Sequence, residues 1–72
     1  MTIHQKIIYL LQRHQTDGDS IEWSTDTIAD MLNMEPDIVK KEISWMKRMG
    51  FLTERIVHQR SQWFLAENYR VR

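Results

Sequence analysis

The spacing of apolar residues changes at Gly50 in this chain of 72 residues, and that change constrains the fold more than any other feature. Over most of the chain before Gly50 the apolar residues recur at intervals of three and four, which gives an α-helix one apolar face. After Gly50 they alternate with polar residues, as in a strand with one buried face. The chain is therefore expected to fold as helices followed by a small sheet.

Two helices are predicted in the first half of the chain. The first covers about residues 2–15, and Thr2 is placed to cap its N-terminus. The second covers about residues 25–33, with Ser24 as a strong N-cap and Asn33 suited to a left-handed helix end. Both helices therefore have local signals at their ends as well as an apolar face.

A third helix is predicted over about residues 36–49. Pro36 suits its first position, because the N–H that proline lacks has no partner there. This leaves Glu35 at the N-cap, and Gly50 ends the helix. The face expected to be buried carries Val39, Ile43 and Met46.

A short strand is predicted ahead of the second helix. Residues 20–24 alternate between apolar and polar side chains, after a turn that contains Gly18. Ile21 and Trp23 would then lie on the same side of this strand. We expect Trp23 to pack as part of the small sheet.

A β-hairpin of about residues 51–66 is predicted after the third helix. Residues 51–57 and 62–66 are β-prone, and residues 58–61 separate them as a four-residue loop. The second strand carries Trp63, which is also expected to pack in the sheet. A short C-terminal tail follows the hairpin.

The whole chain, residues 1–72, is expected to form one domain with an α+β, mainly α fold. Val39 and Ile43 should be nearly inaccessible to solvent, whereas Trp45 lies at the edge of the core face and is equally compatible with packing and with an interface. The predicted core consists of Ile7, Leu11, Ile28, Leu32, Val39, Ile43, Met46 and Phe51.

The order of these elements and a local sequence pattern resemble the winged helix-turn-helix family. Residues 28–35 read Ile-Ala-Asp-Met-Leu-Asn-Met-Glu, and residues 39–51 read Val-Lys-Lys-Glu-Ile-Ser-Trp-Met-Lys-Arg-Met-Gly-Phe. The apolar positions and the small Ala29 match the family pattern in register. The resemblance covers roughly residues 3–66 and implies three helices with an antiparallel hairpin, which the family calls the wing.

This resemblance implies binding to double-stranded DNA by a small transcriptional regulator. The third helix would enter the major groove, and the wing loop at residues 58–61 would contact the backbone or the minor groove. The expected DNA-binding residues are Asp37, Lys40, Lys41, Ser44, Lys47 and Arg48 on the third helix, and Arg55, Gln59 and Arg60 on the wing.

Some residues depart from the family pattern and keep a second interpretation open. Glu35 stands where the family often has Ser, and Asp37 adds a second carboxylate at the front of the third helix. The alternative is a winged-helix module that binds a protein and has no nucleic-acid role. It would use the acidic residues of 17–37 and exposed apolar groups, for which the candidates are Tyr9, Ile38 and Trp45.

The distribution of charge bears on both interpretations, because the net charge is zero. Residues 1–39 have an excess of Asp and Glu, whereas residues 40–60 have an excess of Lys and Arg. The basic segment favours DNA binding, and the acidic segment together with the zero net charge favours the protein-binding alternative.

No catalytic residue, metal or cofactor is expected, so the chain is not predicted to be an enzyme. It has no cysteine, and its histidines, His4, His14 and His58, lack metal-ligand spacing. No glycine-rich phosphate loop is present, and no serine has a recognisable partner base. The longest apolar run is far shorter than the roughly 20 residues of a membrane span, so we expect a cytoplasmic protein without a membrane role.

Self-association is predicted from the small size of a single recognition helix. One such helix contacts only a few base pairs, which is too few to select one site in a genome. A homodimer, or several copies along DNA, would extend the contacted sequence. Tyr9, Tyr69 and Val71 are the apolar residues expected to be left over for this contact.

Overall fold

The computed structural model describes residues 1–15 and 21–70. Three helices are followed by a two-stranded antiparallel hairpin, so the predicted α+β fold with a winged-helix layout is confirmed. The predicted turn at Gly18 lies outside the described residues. The elements are α1 (Ile3–Arg13), α2 (Thr25–Leu32), α3 (Pro36–Met49), β1 (Leu52–Val57), β2 (Arg60–Leu65) and a 3-10 helix (Glu67–Tyr69).

Side-chain caps fix the starts of the first two helices. The Thr2 hydroxyl accepts from the Gln5 N–H at 3.2 Å, and the Gln5 side chain accepts from the Thr2 N–H at 2.9 Å. This reciprocal pair is a capping box. It provides acceptors for two N–H groups that have no backbone partner within the helix. Ser24 accepts from the N–H of Thr27 at 3.1 Å and caps α2 in the same way. Both predicted N-caps are therefore confirmed.

Only three residues separate α2 from α3, which makes a tight helix-turn-helix. Asn33 ends α2 with a φ of 55°, and Pro36 begins α3 immediately after Glu35, which makes no side-chain cap bond. Gly50 ends α3 with a φ of 82°, a left-handed conformation that glycine adopts without steric cost. The predicted ends of both helices are confirmed to within a residue or two.

The turn of the hairpin is shorter than predicted. The strands pair from Leu52 with Leu65 to Val57 with Arg60, so only His58 and Gln59 lie between them. Their φ angles of 52° and 64° are both left-handed, as in the type I′ turn that suits a twisted hairpin. The predicted four-residue loop at 58–61 is wrong, because Arg60 and Ser61 continue β2. Neither turn residue is the glycine or asparagine that usually marks this turn.

The strand predicted at residues 20–24 begins outside the described residues, and its described part, residues 21–24, contains a single bridge. Ile21 pairs with Trp63 through two backbone hydrogen bonds of 3.1 and 2.9 Å. Beyond Ile21 the chain leaves the sheet, since Ser24 must turn to cap α2. Trp23 is therefore not on a strand. Its carbonyl accepts a hydrogen bond from the indole N–H of Trp63 instead.

The helices and the hairpin share one apolar core. Val39 and Ile43 are 0% and 2% exposed, as predicted, and α3 buries Met46 beside them. Leu32 and Phe51 lie at the margin of the core rather than inside it. Leu52 takes the place expected for Phe51, because the buried face of β1 begins one residue later. The hairpin adds Trp63 and Leu65, and the bridge adds Ile21.

The C-terminal tail folds back onto α1 instead of extending away. The side-chain amide of Gln12 donates to the carbonyl of Tyr69 at 2.8 Å, and the ring centres of Tyr69 and Phe51 are 5.7 Å apart. Tyr69 is half-buried by these contacts, so the expectation that it is left over for self-association is wrong. Val71 lies outside the described residues.

Candidate nucleic-acid interface

The outward face of α3 carries the six residues predicted for it. They recur at intervals of three, four and seven, so they share the side of the helix opposite to Val39, Ile43 and Met46. Every one of them is exposed to solvent. The residues of this face, called the α3 face below, are Asp37, Lys40, Lys41, Ser44, Lys47 and Arg48.

One lysine of the α3 face is paired with the preceding helix. The ammonium of Lys40 lies 3.6 Å from a carboxylate oxygen of Asp26 on α2. Both side chains are more than half exposed, so water screens the pair and its contribution to stability is small. The pair nevertheless places a negative charge beside Lys40, which reduces the positive potential at this end of the α3 face.

A second lysine is tied to the wing. The ammonium of Lys47 lies 2.9 Å from Oε1 of Glu54 on β1, and the hydroxyl of Ser61 on β2 donates to the other carboxylate oxygen. The hydrogen bonds from Ser61 and Lys47 lower the pKa of Glu54 below its usual value. Lys47 also lies 5.9 Å from the centre of the Trp63 ring. This Lys47–Glu54–Ser61 cluster links α3 to both strands of the wing.

Two cations of the α3 face remain unpaired. Within residues 1–15 and 21–70, no hydrogen-bonding or ion-pairing side chain lies next to Lys41 or Arg48. Glu42, the neighbouring acid on α3, faces the other way and lies 3.5 Å from Nδ1 of His4. The pairing of Glu42 with lysine or arginine that the sequence permits is therefore absent, and Lys41 and Arg48 are available to an external anion.

The wing residues lie on a different surface from the Lys47–Glu54–Ser61 cluster. Successive residues of a strand point to opposite faces, so Arg55 lies on the face opposite to Glu54. Arg60 pairs with Val57, which shares the face of Arg55. Gln59 is at the tip of the turn. All three predicted wing residues are exposed to solvent.

Glu54 and Ser61 were not predicted as site residues, although their positions in the hairpin contain a usable signal. Both belong to the hairpin face that includes Leu52, Trp63 and Leu65, which is the face directed at the core. A carboxylate on a core-facing strand position needs a charged or hydroxyl partner. That requirement could have pointed to a lysine at the end of α3.

The residues proposed for a protein partner differ in exposure. Tyr9 is 54% exposed on α1 and Ile38 is 45% exposed on α3. Trp45 is half-buried and packs on His4 and Phe51, with ring centres 5.2 and 5.5 Å apart. Trp45 thus belongs to an aromatic cluster at the margin of the core. An open groove of about 610 Å³ beside this cluster is lined by Met1, His4, Gln5, Ile8, Tyr9, Gln12, Phe51 and Tyr69.

Among the described residues, no three His, Asp or Glu side chains come close enough together to hold a metal ion. None of the helices in the described ranges has both the length and the apolar character needed to cross a bilayer.

Comparison with known proteins found no relative of this chain. No family model, curated protein or solved structure matches the chain. The described residues have a winged-helix layout with a cationic third helix. The resemblance to the winged helix-turn-helix family rests on the residues of α2, the turn and α3.

Proposed function

We propose that the protein binds double-stranded DNA, with α3 in the major groove and the wing on the adjacent backbone or minor groove. The observation that carries this proposal is the α3 face itself. The three-residue turn after α2 holds a 14-residue helix whose inner side is fully buried and whose outer side carries unpaired Lys41 and Arg48. An α-helix with such a face fits the major groove of B-DNA.

The candidate contacts divide into two chemical groups. The cations are suited to phosphates, which supply affinity without sequence information. The uncharged or acidic groups are suited to base edges: Ser44 can donate or accept, Gln59 can contact adenine, and Asp37 can accept from the cytosine amino group. A small domain of this kind would regulate transcription by occupying its site. The cations suited to phosphates are Lys41, Arg48, Arg55 and Arg60.

Because Lys40 and Lys47 are already ion-paired, we expect the electrostatic affinity of the protein for DNA to be limited. A cation already balanced by a carboxylate neutralises less phosphate charge than an unpaired one. The four unpaired cations give a slope of log K against the logarithm of the salt concentration of about −4. The slope would be about −6 if Lys40 and Lys47 were also unpaired. The protein should therefore bind random duplex weakly and with moderate salt dependence.

The test is a fluorescence-anisotropy titration of a random duplex at 50 and 200 mM salt. Replacing Lys41 and Arg48 together by alanine should lower affinity and reduce the salt slope by about two. Lys6→Ala, measured on a duplex that holds one copy, is the control, since Lys6 is an exposed cation on α1 outside the α3 face. Absence of binding at 50 mM salt, or equal affinity of the double variant and wild type, would refute the proposal.

A second candidate function is protein binding without DNA. The observation that favours it is the row of exposed acids from α2 to the front of α3, namely Asp26, Asp30, Glu35 and Asp37. Absence of duplex binding at low salt would leave this candidate in first place. Self-association, a cytoplasmic location and the lack of enzyme activity stay predictions from the sequence.

A further inference from the structure

We propose that copies of this protein associate head to tail, with the exposed face of α1 on one copy against the exposed face of α2 on the next. The contact uses residues of α1 and α2 and none of the α3 face. The association would therefore make DNA binding cooperative, and that consequence rests on the proposed function. The contact itself follows from the charges and exposed apolar side chains of two helices.

The exposed face of α1 is basic and has an aromatic ring at its centre. Tyr9 is 54% exposed, and the guanidinium of Arg13 lies 5.7 Å from the centre of its ring. Lys6 lies one turn before Tyr9 on the same side. Because α1 contains no Asp or Glu, nothing on the helix balances these two cations.

The exposed face of α2 has the opposite charge and its own apolar residue. Asp30 and Asp26 lie four residues apart on this face, and Met31 beside them is 50% exposed. The helix contains no Lys or Arg. Asp26 already pairs with Lys40, so Asp30 is the acid available to another copy.

Charge decides between the possible pairings of these two faces. In a two-fold dimer through α1, Lys6 and Arg13 of both copies would face each other, and like charges across an interface are strongly unfavourable. A two-fold dimer through α2 would oppose aspartates in the same way. The α1-to-α2 contact instead places Arg13 near Asp30 and Tyr9 near Met31. This pairing is heterologous, so each copy keeps one face free for a further copy.

The size of the faces limits the strength of the contact. A stable interface removes about 800 Å² from each partner, and α2 is only about 12 Å long. Free copies should therefore associate only at high concentration. Copies on neighbouring DNA sites meet at an effective concentration in the millimolar range, where a weak contact becomes significant.

The first test uses charge reversal without DNA. Sedimentation equilibrium at millimolar concentration should show species larger than a dimer for wild type and monomers for Arg13→Glu and for Asp30→Lys. The double variant, with both changes in one chain, should recover association because the pair is restored in reverse. Equal thermal melting of all four proteins shows that folding is intact.

Three results would overturn the proposal in this experiment. Monomeric wild type at millimolar concentration would remove the contact altogether. Stronger association of Arg13→Glu with no effect of Asp30→Lys would indicate a two-fold α1 dimer instead. Failure of the double variant to recover would show that Arg13 and Asp30 are not opposed.

The second test separates cooperativity from DNA binding. Wild type and Arg13→Glu should have nearly the same affinity for a duplex that holds one copy. On a duplex three times longer, the Hill coefficient should exceed one for wild type and return to one for Arg13→Glu. Binding to the short duplex with a Hill coefficient of one on the long duplex would refute the head-to-tail contact and leave the proposed function intact. Absence of binding to both would refute the proposed function.

Discussion

At the scale of single residues, Glu54 is the side chain that joins the wing to α3. It accepts hydrogen bonds from Lys47 on the helix and from Ser61 on the opposite strand. Both partners act on the charged form of the carboxylate, which explains why its pKa is lowered. A group whose pKa is lower in the folded protein stabilises the fold only while it is ionised.

Replacement of Glu54 by glutamine should therefore destabilise the protein in a pH-dependent way. At pH 7 the free energy of unfolding should fall by about 0.5–1 kcal/mol, the range of a partly exposed ion pair. The difference from wild type should shrink as the pH falls below the unfolded value of 4.5 and through the lower folded value. Urea unfolding between pH 3 and 7 measures this, with Asp30→Asn as the control. A difference that does not change with pH would contradict the assignment.

Ile43 provides a prediction for the core. It is 2% exposed at the centre of the buried side of α3, so its replacement by alanine should leave a cavity. The expected loss is about 2–5 kcal/mol, which is a large fraction of the stability of a domain of this size. Ile38→Ala on the exposed flank of the same helix is the matched control and should cost less than about 1 kcal/mol. Thermal unfolding followed by circular dichroism distinguishes the two.

At the scale of elements, the sequence predicted those parts whose signals are local. The caps at Thr2 and Ser24 and the ends of α3 at Pro36 and Gly50 depend on neighbouring residues, so they could be recognised without the fold. The type I′ turn was missed because His58 and Gln59 are atypical there.

The candidate site was predictable only in part, because only some of its features depend on local sequence. The α3 face follows from helical periodicity, which depends on the sequence of α3 alone. The two ion pairs join residues of different elements, and the partner of Lys47 depends on which face of the hairpin meets the helix. Such contacts require the packed structure.

The turn of the wing should respond to glycine. Gln59 has a φ of 64°, a conformation that costs a residue with a side chain about 1 kcal/mol or more. Gln59→Gly should therefore raise the free energy of unfolding by about 0.5–1 kcal/mol. Ser61→Gly, two residues later in β2, should lower it, since glycine weakens a strand and this change also removes the bond to Glu54. Equal effects of the two changes would show that the turn is not strained.

The α3 face should show a difference between its paired and unpaired lysines. Lys41→Ala should lower the salt slope of duplex binding by about one. Lys40→Ala should lower it by less, because Lys40 is partly balanced by Asp26 before DNA arrives. Anisotropy titrations of both variants against wild type measure the two slopes. Equal slopes for the two variants would mean that the Asp26 pair is not maintained in solution.

At the scale of the whole molecule, opposite charges are separated onto different helices. The exposed face of α1 and the α3 face are basic, whereas α2 between them in the chain is acidic. The zero net charge therefore results from cancellation between surfaces. With this distribution of charge, the basic α3 face can attract a polyanion, while α1 and α2 present two further faces of opposite charge.

The packing of the hairpin against the helices has a mechanical consequence. Leu52, Trp63 and Leu65 are buried in the same core as α3, so the base of the wing cannot swing without opening that core. If α3 and the wing engage one duplex, the protein contributes a surface of fixed shape and the DNA must bend or change its groove width to follow it. Sequences that deform easily should then be preferred even at base pairs that no side chain touches.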